Sequence, residues 1–120
     1  MESPCNLECR EACGAGKNMI SVSASGEVYP CHMLHVKELC LGNILEDNVV
    51  EMLNSEKNIL KNITVDAKEP CSKCEYKYLC GGGCNARNYL ENGNFNEVDS
   101  TCALTKYSLH EYFDKIKKSL

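Results

Sequence analysis

Between Asn18 and Cys31 the chain reads NMISVSASGEVYPC, and apolar and polar positions alternate through MISVS. That period is the strand period, so a strand is expected there, a turn at ASGE around Gly26, and a returning strand at VYPC. Pro30 has no backbone N–H to donate, so the second strand is short or lies at an edge. The next stretch, CHMLHVKELCLGNILED, follows neither period, and its GN marks a turn. From about Asn48 to Asn62 the apolar residues Val49, Met52, Leu53, Ile59 and Leu60 share one helical face, which Asp47 or Asn48 is placed to cap. NARNYLEN, after Cys84, predicts a short helix ended by Gly93. Leu104, Tyr107, Leu109, Tyr112, Phe113 and Ile116 predict a final amphipathic helix over 101–120. Residues 1–17 read as an irregular loop. The fold class expected is small α+β, an N-terminal β-hairpin plus helices.

Composition changes that picture in one respect. The chain has 120 residues, which suits a single domain over 1–120, and ten of them are cysteine, several times ordinary usage. A core of this size often needs disulfides or metals as staples. The N-terminus MESPCNLECRE is polar and acidic, unlike a signal peptide, and no stretch approaches the roughly 20 apolar residues of a membrane span. The expectation is a cytoplasmic chain with no membrane partner and reduced thiols, where cysteine serves metal or redox chemistry rather than disulfides. The net charge of −4 argues against a broad grip on nucleic acid. The basic ending DKIKKSL suits a solvated helix end.

The densest run is CSKCEYKYLCGGGC, in which Cys71, Cys74, Cys80 and Cys84 are spaced C-x2-C-x5-C-x3-C. Two residues between thiols let a tight turn aim both sulfurs the same way. Gly81, Gly82 and Gly83 permit positive φ, a close approach to a bulky inorganic centre, and amides pointing at sulfur. Spacing alone assigns all four thiols to one site. A second set is placed by the hairpin: Cys13 stands before it and Cys31 after it, so two sulfurs distant in sequence meet near its base. Cys5 and Cys9 lie upstream and Cys102 beyond. Two zinc sites of four thiolates would satisfy this inventory as well as iron–sulfur centres do.

The pattern C-x12-G-x4-C (Cys13, Gly26, Cys31), then C-x2-C-x5-C-x3-C, then a late Cys102, with the phrases GEVYPCH, LGNI and CGGGCNAR, resembles the SPASM domain. That is the C-terminal auxiliary-cluster domain of many radical S-adenosylmethionine enzymes. The resemblance covers about residues 5 to 110. It implies two four-iron, four-sulfur clusters with interleaved ligands: Cys13, Cys31 and Cys84 for the first, Cys71, Cys74, Cys80 and Cys102 for the second. The first needs a fourth ligand from upstream, either Cys9 or Cys5. The family usually places it about six positions before the hairpin cysteine. Cys9 stands four before and Cys5 eight before, so neither matches; Cys9 is preferred. An open iron site is the remaining alternative. Cys40 fits no ligand slot and reads as a buried apolar residue. His32, His35 and His110 read as non-ligands, and Tyr76, Tyr78, Tyr89, Tyr107, Tyr112 and Phe113 as core or cluster-shielding residues.

The resemblance also implies what this chain does not carry. The loop that cleaves S-adenosylmethionine is C-x3-C-x2-C, whereas Cys5, Cys9 and Cys13 are spaced C-x3-C-x3-C. The barrel that performs the family's chemistry takes roughly two hundred further residues. The chain therefore resembles the C-terminal part of a longer enzyme and is expected to be non-catalytic by itself, with S-adenosylmethionine bound only in the parent barrel. Its expected role is electron relay or substrate positioning, with that barrel and a peptide or protein substrate as partners. The rival function is a zinc-binding structural or interaction module, a filling best suited to an isolated domain made in air.

Overall fold

The computed structural model describes residues 12–120. Strands β1 (Ser21–Val22), β2 (Glu27–Tyr29) and β3 (Gly42–Asn43) form an antiparallel sheet in the order β1-β2-β3. Five helices follow: α1 (Val49–Asn54), α2 (Glu69–Ser72), α3 (Lys77–Cys80), α4 (Asn85–Asn92) and α5 (Cys102–Ser119). Lys37–Leu39 and Ile59–Asn62 each make a 3-10 turn.

The hairpin forms where alternation places it, with Ser21 opposite Tyr29 and Val22 opposite Val28. GN does more than turn the chain: as β3 it pairs with β2, Glu27 opposite Asn43 and Val28 opposite Gly42. The Leu41 N–H donates to the Val28 carbonyl at 2.7 Å. Pro30 lies beyond β2, as its missing donor requires.

The helix expected over 48–62 is two pieces. Asn48 caps α1, its Oδ1 accepting the Glu51 N–H at 3.1 Å. The helix stops after Asn54 because buried Asn58 folds back. Its Nδ2 donates to the Leu53 carbonyl at 2.8 Å and to the Gly16 carbonyl at 2.7 Å. The carbonyl that a continuing helix would use is taken, and the chain re-enters as a 3-10 turn.

Two apolar clusters form the interior. Val28, Leu41 and Met52 join the sheet to α1, each burial contributing about 1.5–3 kcal/mol. The larger cluster, Ala15, Cys31, Leu34, Leu39, Leu60, Ala86 and Phe95, joins the first loop to α4. α4 ends at Gly93, whose φ is +77°, as expected. α5 carries only Leu109 fully inward, while Leu104 and Tyr107 are exposed, Tyr107 by 63%, so Tyr107 is no core residue.

Candidate metal centre

The thiols fall into two places. Cys71, Cys74, Cys80 and Cys102 line one cavity of about 470 Å³, a figure that includes its open mouth. Pro70, Tyr76, Gly82, Gly83, Asp99 and Leu109 are among its other walls. α2 and α3 are single turns that deliver Cys71 and Cys80, the connection Lys73–Tyr76 between them delivers Cys74, and Cys102 opens α5 and delivers the fourth sulfur. Cys84 is not on this wall. With Cys13 it packs against the larger apolar cluster, of which Cys31 is a member. The Gly16 N–H donates to the Pro30 carbonyl at 3.0 Å, laying the segment after Cys13 against the residue before Cys31. Cys5 and Cys9 lie outside the described residues.

The chain moves from one place to the other through Gly81, Gly82 and Gly83, with φ of +73°, +84° and +78°. Three successive left-handed residues are open only to glycine at low cost. A Cβ on Gly83 would stand 2.8 Å from Asp99 Oδ2.

Asp99 holds the crossing, and sequence reasoning passed it over. Its Oδ2 accepts the Cys84 N–H at 2.8 Å, and its Oδ1 accepts the Thr101 N–H at 2.8 Å and the Thr101 hydroxyl. One carboxylate thereby ties the residue before Cys102 to the backbone of Cys84. Burial pushes the Asp99 carboxyl up, but the Thr101 and Cys84 hydrogen bonds and the Arg87 guanidinium outweigh it and leave it below the usual range. The Arg87 N–H donates to the Cys84 sulfur at 3.4 Å, across the first turn of α4.

Lys68 was passed over too. It is 3% exposed, and its Nζ donates to the Gly82 carbonyl and to Asn85 Oδ1, both at 3.2 Å. Burial pushes the Cys71 thiol up, Lys68 pulls it down, and the Cys80, Cys102 and Cys74 sulfurs push it up; the net shift is upward. A thiolate set there needs compensating positive charge, which a metal centre brings.

His35 stacks on Tyr29 at 4.3 Å, and its Nε2 pairs with Ser21 Oγ at 2.7 Å. His32 and His110 are exposed, and His32 Nδ1 lies 3.8 Å from Cys31 Sγ. Cys40 is half-buried, its thiol donating to the Gly42 carbonyl at 3.6 Å. Tyr76 lines the cavity and stacks with Phe113 at 6.4 Å, which fits shielding, whereas Tyr78 is exposed and donates to Asp66.

These residues fit a polynuclear thiolate-bound centre. Among the described residues no three His, Cys, Asp or Glu side chains converge tightly enough to hold a single ion. Four thiols stand around one cavity, the donor set of a thiolate-bound inorganic centre.

Comparison with known proteins agrees. A family model described as an iron–sulfur cluster-binding domain, SPASM, matches residues 13–75. The chain is 30% identical over 101 residues to a PqqA peptide cyclase of Bradyrhizobium diazoefficiens, covering 82% of this chain and 26% of that protein. It is 30% identical over 95 residues to a cysteine-type anaerobic sulfatase-maturating enzyme of Clostridium perfringens, covering 78% of this chain and 24% of that one. A solved structure of native anSMEcpe with bound AdoMet and Kp18Cys peptide superposes with a TM-score of 0.67 at 26% identity, over 92% of this chain and 31% of that chain. The chain thus spans about a quarter of the length of the curated relatives it matches.

Proposed function

The chain belongs to the SPASM family of iron–sulfur cluster-binding domains, and from that premise we propose that it is the auxiliary-cluster domain of a radical S-adenosylmethionine enzyme that modifies a peptide or protein. It holds two 4Fe–4S clusters. Cys71, Cys74, Cys80 and Cys102 bind one; Cys13, Cys31 and Cys84, with Cys9 or Cys5, bind the other. The single observation that carries this reading is the cavity. It gathers Cys102 with the three nearer thiols and leaves out Cys84, although Cys84 is far closer to them in sequence.

A bound cluster supplies one-electron redox chemistry whose potential follows burial and hydrogen bonding at sulfur. The residues here supply the rest. Four thiols, Tyr76 and Leu109 contribute to the wall, and Asp99 fixes the spacing between the two sets. The role that follows is relay of electrons to or from a catalytic barrel, or positioning of the substrate. Peptide substrates are supported by relatives named for peptide cyclisation and sulfatase maturation, and by a similar structure that holds AdoMet and a peptide. The barrel itself belongs to the length that this chain does not span.

Anaerobic reconstitution tests the reading. The full chain should take up about eight iron and eight sulfide and bleach with dithionite, and Cys102→Ala should lose about half of the iron. Cys9→Ala and Cys5→Ala, compared side by side, identify the remaining ligand. A colourless chain that carries zinc after anaerobic preparation, or Cys102→Ala with undiminished iron, overturns it.

A further inference from the structure

Lys68 is a buried cation without a carboxylate. It is 3% exposed, and among the described residues no Asp or Glu oxygen lies within 4.0 Å of its Nζ. Its two recorded acceptors, the Gly82 carbonyl and Asn85 Oδ1, are both neutral. An isolated ammonium is expensive to bury unless negative charge lies nearby. The negative charge available is sulfur. One point beside Gly82, where a Cβ would stand, lies 3.5 Å from Lys68 Nζ and 3.9 Å from Cys71 Sγ. Cys71 opens onto the cavity that Cys74, Cys80 and Cys102 complete.

Asn85 adds an independent observation. It is 1% exposed, and its Nδ2 has no hydrogen-bond partner. Lys68 can only donate, so the amide must turn Oδ1 towards it, which leaves the NH2 spare. A buried orphan donor beside a lone buried cation, on the residue that follows Cys84, is costly in a protein whose sulfur sites carry no charge. It is at home where thiolates and sulfide carry it.

We propose that Lys68, oriented by Asn85, is the resident counter-charge of the Cys71, Cys74, Cys80 and Cys102 cluster and raises its reduction potential relative to the other cluster. The inference rests on the two-cluster reading above. A fixed positive charge favours the more negative, reduced state of a nearby centre, and low local polarity keeps that influence large. Lys68 is thus a positioning and tuning residue and is not itself a ligand. The consequence is that the two clusters differ in potential, which gives electrons a preferred order of residence.

The test uses the full chain reconstituted anaerobically, titrated by potential with visible and electron paramagnetic resonance detection. Lys68→Met should keep its iron and shift one of the two potentials downward, by tenfold or more in the reduced-to-oxidised ratio at fixed ambient potential, about 59 mV per tenfold. Lys68→Arg, which keeps the charge, should stay near the parent. Asn85→Asp places a carboxylate against the ammonium with little change of shape, and should lower the same potential. If Lys68→Met fails to load iron, the arginine variant decides. Loading and parent-like potential with arginine supports the charge role. Failure of both variants reduces Lys68 to a structural tie on Gly82 and overturns the proposal. So do unchanged potentials in Lys68→Met. A parent chain that binds no iron at all refutes the two-cluster reading instead, so the two failures are distinguishable.

Discussion

Asp99 shows how much one side chain can fix. It takes hydrogen bonds from the Cys84 N–H and from both donors of Thr101, and so sets the spacing between the residue after the glycine run and the start of α5. Asp99→Asn removes charge and one acceptor and leaves a buried donor unpaired, a loss of about 1–3 kcal/mol. The urea midpoint of the reconstituted chain, followed by cluster absorbance, measures it. Because its carboxyl is depressed in the folded state, Asp99's contribution is complete above about pH 4 and is lost only as pH falls through that lower value. The deficit of Asp99→Asn should therefore be equal at pH 5.5 and pH 8; a deficit that vanishes at pH 5.5 contradicts a depressed carboxyl. Neither Asp99 nor Lys68 was legible in the sequence. Thiols announce themselves by spacing, but a lone carboxylate or lysine gains its meaning from partners 15 and 14 residues away.

Among the elements, local rules held wherever one residue decides. The hairpin follows its alternation, α1 begins at its Asn48 cap, and α4 ends at Gly93. They failed where a distant partner decides. β3 is two residues long and exists because β2 offers it an edge. α1 is cut short because Asn58 reaches Leu53 and, across the fold, Gly16. That Cys84 stands off the wall formed by Cys71, Cys74 and Cys80 was legible only through family resemblance, since spacing alone grouped all four thiols. Gly83 and Gly93 separate two costs that are usually confounded. Both have φ near +78°, but a Cβ on Gly83 meets Asp99 Oδ2 at 2.8 Å, whereas one on Gly93 meets nothing within 4 Å. Gly93→Ala should cost about 1–2 kcal/mol from backbone strain. Gly83→Ala should cost more and also lower iron content. Equal costs by denaturation would mean that Asp99 moves aside freely.

For the whole molecule, the principal extents of 57 × 25 × 21 Å describe an elongated body. α5, with 18 residues, is about 27 Å long. The two apolar clusters divide the labour. The one between sheet and α1 includes no cysteine, whereas the larger one contains Cys31 and packs against Cys13 and Cys84. If the proposed iron–sulfur centres are bound, their removal should be felt unevenly between these two regions. In hydrogen exchange after chelation, amides over 66–102 should lose protection, while those of Val28 and Leu41 at the β2–β3 pairing keep more of theirs. Uniform loss across both regions would mean that the proposed centres support the entire fold.

The position of Cys102 also imposes a timetable. A chain made from its N-terminus onward has Cys13, Cys31 and Cys84 all in hand once residue 84 is joined. The other compartment still lacks a side until Asp99 and Cys102 arrive. The newborn protein thus acquires one complete trio of described sulfurs before the other wall can be finished, and any product that stops short of residue 99 lacks both the last sulfur and the clasp that seats it.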